Sequence, residues 1–413
     1  MDYGLIGAKL GHSYSPAIHA QLGDYDYRLV EQSEREFTEL LARRDFKGLN
    51  VTIPYKKLAY SLCDALSDTA REVGCVNTLV VRADGSLYGH NTDIGGFIAM
   101  ARRAGVEIAG KKAVILGSGG TSLTARAACR RLGAREIVVV SRSGPVDYDA
   151  LYRDHADAQV LINTTPVGMY PKNGASAADL SRLPALTGVL DVIYNPDKTA
   201  LVLDAEARGL PCCGGLYMLV GQAREAAELF LGRSIPESET ERIHRRLRDE
   251  ALNLILIGMP GCGKSRVGQA LANRMGRTFV DLDEEIVRRA GMSIPEIFAR
   301  DGEAGFRALE AQVVAEVCRE KGRVVATGGG AILREDNVRA MRQNGRLILL
   351  ERRLDALSMD GRPLSKSPEA LEAMWQARKE KYRAAADAAV NNNGAPEETV
   401  ARTEEAYHEA VDR

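Results

Sequence analysis

Aromatic side chains are scarce. They make up 5% of the 413 residues, with a single tryptophan, too few stacking platforms for a protein that binds single-stranded nucleic acid. No charge of one sign dominates either. The net charge is −1, and residues 251–413 hold 25 Lys+Arg against 25 Asp+Glu, which leaves 30 against 31 for residues 1–250. Neither half is a basic module, so the expected partners include no nucleic acid and no membrane. No apolar run approaches the roughly 20 residues that span a bilayer. The opening MDYGLIGAKLGHS lacks a charged segment followed by a long apolar stretch, so no secretory signal is expected. The seven cysteines are odd in number, scattered and without CxxC spacing, which excludes the common zinc motifs. Free thiols in a reducing, cytoplasmic setting are expected. Flexible linkers, internal repeats and low-complexity tracts are also missing.

What is present is alternation. Strand-like and helix-like stretches follow one another almost throughout, which predicts an α/β protein with parallel sheets. A chain of 413 residues is too long for one core. Residues 1–104 read as a first domain, with strands at Tyr3–Ile6, Asp26–Val30, Gly48–Ile53, Asn77–Arg82 and Leu87–Gly89. The turn Ala83-Asp-Gly-Ser86 makes the last two a hairpin. Residues 105–250 read as a second domain, whose helices over 217–250 close back on the first. Pro236 followed by Ser238-Glu-Thr-Glu241 predicts a capping box for the last of them. Residues 251–413 read as a third domain, entered with barely a linker.

Two glycine-rich turns follow strands. The first is Gly117-Ser118-Gly119-Gly120, ahead of Thr121 and a helix. Such a turn lets the backbone approach a pyrophosphate, and the helix N-terminus supplies N–H donors. An acid ending the next strand would favour NAD. Ser141-Arg142-Ser143 stands there instead, two hydroxyls around a cation, and favours the 2′-phosphate of NADP(H). The second turn, Gly258-Met-Pro-Gly-Cys-Gly-Lys-Ser265, fits the phosphate-loop pattern GxxxxGKS/T at every fixed position, between an apolar strand and a helix. Gly261, Cys262, Gly263 and Arg266 would surround ATP phosphates, Lys264 would reach the β/γ oxygens, and Ser265 would hold Mg²⁺. Asp281 and Asp283 follow at a strand end, on one face by the period-two rule. One of the two would serve Mg²⁺ through water, and the other would accept a proton from an attacking hydroxyl.

Polar clusters punctuate the first half: HSYSP (His12–Pro16), NVTIPYK (Asn50–Lys56), GCVNT (Gly74–Thr78), GHNTD (Gly89–Asp93), DVIYNP (Asp191–Pro196) and GLYMLVGQ (Gly215–Gln222). Taken together, residues 1 to about 250 resemble the shikimate dehydrogenase family. The resemblance implies a Rossmann-type NADP domain beside a substrate domain. It implies that Ser13, Ser15, Thr52, Asn77, Asp93, Tyr194 and Gln222 bind substrate, that Val192 and Gly215 border the cofactor, and that Lys56 and Asp93 form the catalytic pair. Leu123 stands where the family often carries a basic residue after the glycine turn, with Arg126 one helical turn later.

The second half resembles shikimate kinase, a P-loop fold like that of nucleoside-monophosphate kinases. The markers after the phosphate loop are Gly305-Phe306-Arg307, Ala326-Thr327-Gly328-Gly329-Gly330 and Gly361-Arg362-Pro363-Leu364. The resemblance implies that Asp283 is the base and binds substrate hydroxyls, and that Asp281 serves magnesium through water. Arg307 and Arg378 would hold the substrate carboxylate with help from Gly329, and Arg362 would close over the phosphates. The segment Arg352–Ser367 is short for that family. A Pro-Leu pair expected after Arg378 is replaced by Lys379-Glu380-Lys381, so a solvated helix face stands as the other reading of Arg378.

The two resemblances imply one bifunctional enzyme, expected as a monomer or homodimer. It would reduce 3-dehydroshikimate to shikimate with NADPH, then phosphorylate shikimate with MgATP. The oxygen made at the first site is the nucleophile at the second, so the intermediate is expected to pass through solvent. Two alternatives stay open: a second half that only senses nucleotide, and quinate as the first-site substrate.

Overall fold

The computed structural model describes residues 1–11, 13–357 and 368–412; His12 and Arg362 lie outside the described residues. The chain divides into two compact units, Met1–Asn195 with Thr199–His244, and Pro196–Lys198 with Arg245–Arg413. Both are α/β.

The first unit holds two sheets. One comprises β1 (Tyr3–Gly7), β2 (Tyr27–Glu31), β3 (Gly48–Val51), β4 (Ala65–Leu66), β5 (Thr78–Val81) and β6 (Leu87–His90), in the order β2-β1-β3-β5-β6-β4. β1 runs parallel to β2 and β3, whereas β5 is antiparallel to β3 and to β6. The expected hairpin is therefore present, with Gly85 at its turn. The other sheet comprises β7 (Lys112–Leu116), β8 (Glu136–Val140), β9 (Val160–Asn163), β10 (Gly188–Asp191) and β11 (Cys212–Cys213). Its order is β11-β10-β9-β7-β8 and all its pairings are parallel. A parallel sheet covered on both faces needs apolar residues pointing both ways, and Ala113, Val114, Ile115 and Leu116 of β7 are all fully buried.

The second unit holds β12 (Asn253–Ile257), β13 (Thr278–Asp281), β14 (Arg323–Ala326), β15 (Gly345–Glu351) and β16 (Ala388–Asn391). Their order is β13-β14-β12-β15-β16, again all parallel. In both parallel sheets the glycine-rich turn leaves a strand flanked by neighbours on either side. The order reverses there, and the carboxyl ends open a crevice.

Two sequence expectations need correction. The helix Glu237–Ala251 begins one residue ahead of the cap placed at Ser238, and Glu241 takes Arg103 in a two-pronged ion pair at 2.9 Å. The aspartates at the end of β13 do not share a strand face. Asp281 ends the strand and caps the helix Leu282–Ala290, accepting the N–H of Asp283 at 2.9 Å, so Asp283 is helical. Among the described residues the cysteines are free, and no helix is long and apolar enough to cross a membrane.

A buried histidine gives a stability prediction. His19 stacks on Tyr27 at 3.9 Å and its Nδ1 meets the Tyr25 hydroxyl at 2.6 Å. Burial pushes its pKa from 6.5 down to about 3, against a smaller effect of Asn50. A depressed pKa means that the unfolded chain takes up a proton below pH 6.5 while the folded one does not. The stabilisation is thus complete above pH 6.5 and is lost as pH falls toward 3, a swing of about 5 kcal/mol. Chemical denaturation of wild type and His19→Phe from pH 7 to pH 4 should show the wild-type stability falling toward that of the variant. A pH-independent difference would contradict it.

Candidate active sites

In the first unit, the ends of β1 and β3 and the starts of several helices converge on a cleft of about 240 Å³. Ser13, Ser15, Thr52, Lys56, Asn77, Asp93, Thr121, Val192, Tyr194, Gly215 and Gln222 all line it. At its floor, Lys56 Nζ donates to Asp93 Oδ2 at 2.7 Å, and Asn77 Nδ2 donates to Asp93 Oδ1 at 2.9 Å. Asp93 opens the helix Asp93–Arg103, where the helix dipole favours an anion. Burial works to lower the Lys56 pKa, but the Asp93 carboxylate outweighs it and holds the ammonium above its ordinary value. Lys56 is therefore a charged donor at neutral pH. Ser13 Oγ donates to Ser15 Oγ at 3.1 Å, and Gln222 Oε1 accepts from Thr92 at 3.4 Å.

Sequence reasoning left out Asn50 and Met218, which also line the cleft. Asn50 was legible inside NVTIPYK. It accepts from the Tyr27 hydroxyl at 2.7 Å and donates to Thr78 at 3.0 Å, so it braces the cleft wall. His90 of GHNTD pairs with Glu225 at 2.9 Å, tying β6 to the helix Leu216–Leu231 that carries Gln222.

The dinucleotide turn lies after β7. Gly117 has φ +102°, and a side chain there would crowd Thr164 and Thr165 at 3.0 Å. Ser118, Gly119, Gly120 and Thr121 are exposed or half-buried, and a Cβ added to Gly119 or Gly120 would meet nothing within 4 Å. That leaves open space before the helix Gly120–Arg131, as a pyrophosphate requires. After β8, Ser141 is buried, while Arg142 and Ser143 are exposed. Leu123 is turned onto the apolar core, and Arg126 is half-buried.

In the second unit, the phosphate loop borders a cleft of about 340 Å³ lined by Gly261, Gly263, Lys264, Ser265, Arg266, Asp281, Asp283 and Gly329. Lys264 is buried and donates to the carbonyls of Gly258 and Met259, both at 3.0 Å. Ser265 Oγ donates to Asp281 Oδ2 at 2.5 Å. That hydroxyl–carboxylate pair facing a phosphate loop fits a magnesium ion held largely by water and nucleotide oxygens. Among the described residues no cluster of His, Cys, Asp and Glu could hold a metal by itself.

Arg307 is locked by Glu310 at 2.9 Å, and Glu310 is almost fully buried. Burial raises the Glu310 pKa, and the Arg307 guanidinium opposes it. A Cβ on Gly330 would stand 2.4 Å from that guanidinium, so the glycine run makes room for it. Arg378 is turned inward and donates to the Gly329 carbonyl at 3.4 Å, beside the buried Tyr382, whose hydroxyl donates to the same carbonyl. Cys262 is buried within the loop, and its carbonyl accepts from Asn392 at 2.6 Å. Sequence reasoning gave no role to Glu310, Asn392 or Arg352. None belongs to a short motif, and only the fold brings them to the loop.

The dehydrogenase-like cleft has counterparts. The description "Shikimate dehydrogenase substrate binding domain" matches residues 5–79, and "Shikimate kinase" matches residues 260–407. A shikimate dehydrogenase (NADP(+)) of Clostridium perfringens strain SM101 is 35% identical over 266 residues, spanning 60% of this chain and 98% of that protein. The chain belongs to the shikimate dehydrogenase family. Its second unit carries a shikimate kinase domain. Among solved structures, a chorismate mutase/shikimate 5-dehydrogenase fusion protein from Clostridium acetobutylicum is 35% identical. It covers 60% of this chain and 97% of its own length, with a TM-score of 0.57. A shikimate 5-dehydrogenase from Thermus thermophilus in complex with NADP(H) and shikimate is 29% identical. It covers 60% and 99%, with a TM-score of 0.53. The shikimate dehydrogenase likeness thus accounts for the first unit, and the shikimate kinase match for the second.

Proposed function

We infer that this chain is a bifunctional enzyme of the shikimate pathway. The first unit reduces 3-dehydroshikimate to shikimate with NADPH, and the second phosphorylates shikimate with MgATP. The observation that carries the reading is that each unit builds its own cleft around a charged donor or base beside a glycine-rich turn. Lys56 with Asp93 does so in the first, and Lys264 with Asp283 in the second.

For the first reaction, the dinucleotide supplies a hydride. Ser13, Ser15, Thr52, Asn77, Tyr194 and Gln222 bind the substrate carboxylate and ring hydroxyls. Lys56 Nζ stabilises the negative charge developing on the ketone oxygen and donates its proton there, while Asp93 keeps the amine charged and aimed. Gly117 to Thr121, Val192 and Gly215 border the dinucleotide, and Arg142 with Ser141 and Ser143 takes the 2′-phosphate.

For the second reaction, magnesium neutralises phosphate charge when bound, with Ser265 and Asp281 on its side of the cleft. Arg307, Arg378 and the Gly329 backbone hold the shikimate carboxylate. Asp283 accepts the proton of the attacking hydroxyl, and Lys264 holds the β/γ oxygens. We further propose domains at 1–104, 105–250 and 251–413, a monomer or homodimer, and a cytoplasmic setting, where the free thiols stay reduced.

Spectrophotometry of the full chain tests both halves. NADPH oxidation should require 3-dehydroshikimate, and ADP release should require shikimate. Release of ADP that shikimate leaves unchanged would mark the second unit as a nucleotide sensor. Turnover of quinate matching that of shikimate would overturn the substrate assignment. Labelled 3-dehydroshikimate supplied with excess unlabelled shikimate should give shikimate 3-phosphate with its label diluted in proportion, because the intermediate leaves the first cleft freely. Undiluted label would refute free passage.

A further inference from the structure

Beyond the phosphate-loop cleft lies a second cavity of about 410 Å³, lined by Arg274, Asn392, Asn393, Pro396 and Val400 among others. Gly263, Arg266 and Arg352 line both spaces. They therefore mark the join, where a nucleotide seated on the loop would pass from phosphates to nucleoside. Arg352 reaches this join from the end of β15, with Nη1 3.8 Å from the position a Cβ would take on Gly263.

Arg352 and Arg353 are consecutive, yet they are treated oppositely. Arg353 is satisfied by a two-pronged ion pair with Asp355. Arg352 makes no hydrogen bond or ion pair among the described residues. Its backbone is nonetheless fixed on both sides. Asn392 N–H donates to the Glu351 carbonyl at 2.7 Å, and Arg353 N–H donates to Asn393 Oδ1 at 2.9 Å. The same Asn392 uses its side chain to hold the Cys262 carbonyl of the phosphate loop at 2.6 Å. One polar corner thus ties together the loop and the strand end that carries the unpaired guanidinium. A cation with a fixed backbone, no anionic partner among the described residues and a place at a phosphate loop is suited to a phosphate oxygen.

We propose that Arg352 is a nucleotide-binding residue of the second unit, taking an anionic phosphate oxygen of the adenine nucleotide at the join of the two cavities, with Asn392 as the residue that positions it against the loop. The proposal rests on the reading of this unit as an ATP-dependent kinase.

Titration calorimetry of the full chain with MgADP tests it, alongside kinetics. Arg352→Gln should weaken MgADP binding and raise the KM for ATP by roughly 10- to 100-fold, the scale of one charged hydrogen bond. Its KM for shikimate and its dehydrogenase rate should stay within about twofold, since neither involves this side chain. Arg352→Lys should recover part of the loss, and Arg353→Gln should change little. An intact dehydrogenase rate and an unchanged circular dichroism spectrum certify folding. Arg352→Gln binding MgADP as tightly as wild type would overturn the proposal while leaving the kinase reading intact. A wild-type chain that binds no MgADP would overturn both.

Discussion

Lys56→Ala is expected to lower the rate of 3-dehydroshikimate reduction roughly 10³-fold, the range spanned by loss of a proton donor and of charge stabilisation together. The kinase rate of the same protein should stay at the wild-type value, because Lys56 belongs wholly to the first unit. A finer test separates catalysis from structure. Asp93 is what holds the Lys56 ammonium above its ordinary pKa; burial alone pulls the other way. In Asp93→Asn the alkaline limb of the pH–rate profile should therefore move to lower pH, as burial acts unopposed. Assays from pH 6 to pH 11 read both effects. A Lys56→Ala enzyme within tenfold of wild type would end the assignment, and so would an Asp93→Asn profile with an unmoved limb.

The second large effect is at Asp283. Asp283→Asn keeps the shape of the side chain but accepts no proton. Shikimate-dependent ADP release should fall roughly 10³-fold, with MgADP binding little changed. Asp283 is placed for this by Asp281, which accepts its N–H at 2.9 Å while also accepting from Ser265 at 2.5 Å. In the proposed function the two carboxylates divide the labour: Asp281 pairs with Ser265 of the phosphate loop, and Asp283, lining the same cleft, is left to serve as the base. Residual ADP release near the wild-type rate would remove Asp283 from the base role.

Much of this was legible in the residues. The parallel strands are largely apolar runs bounded by glycine or polar residues, and β1 and β6 each fall within one residue of the bounds read from sequence. The first cleft was readable because its residues sit in short polar clusters at strand ends, where a fold-independent rule places function. Three kinds of feature were not. Strands of two residues, such as β4 and β11, are too short to show a period. The Asp281–Asp283 arrangement looked like a strand face because alternation cannot reveal that a helix begins between them; the cap made by Asp281 decides it. Arg352 stands in a charged doublet that reads as solvated surface. What distinguishes it from Arg353 is that Asp355 satisfies only one of them, and that the chain at Asn392–Asn393 returns beside it. The Arg353–Asn393 contact joins residues 40 positions apart and leaves no local pattern.

The central claim is that one chain carries out both steps. Purified full-length protein, supplied with 3-dehydroshikimate, NADPH, magnesium and ATP, should oxidise NADPH and release ADP in equal amounts, with shikimate 3-phosphate identified as the product by mass spectrometry. NADPH oxidation that ends in accumulated shikimate, with no ADP released, would contradict it.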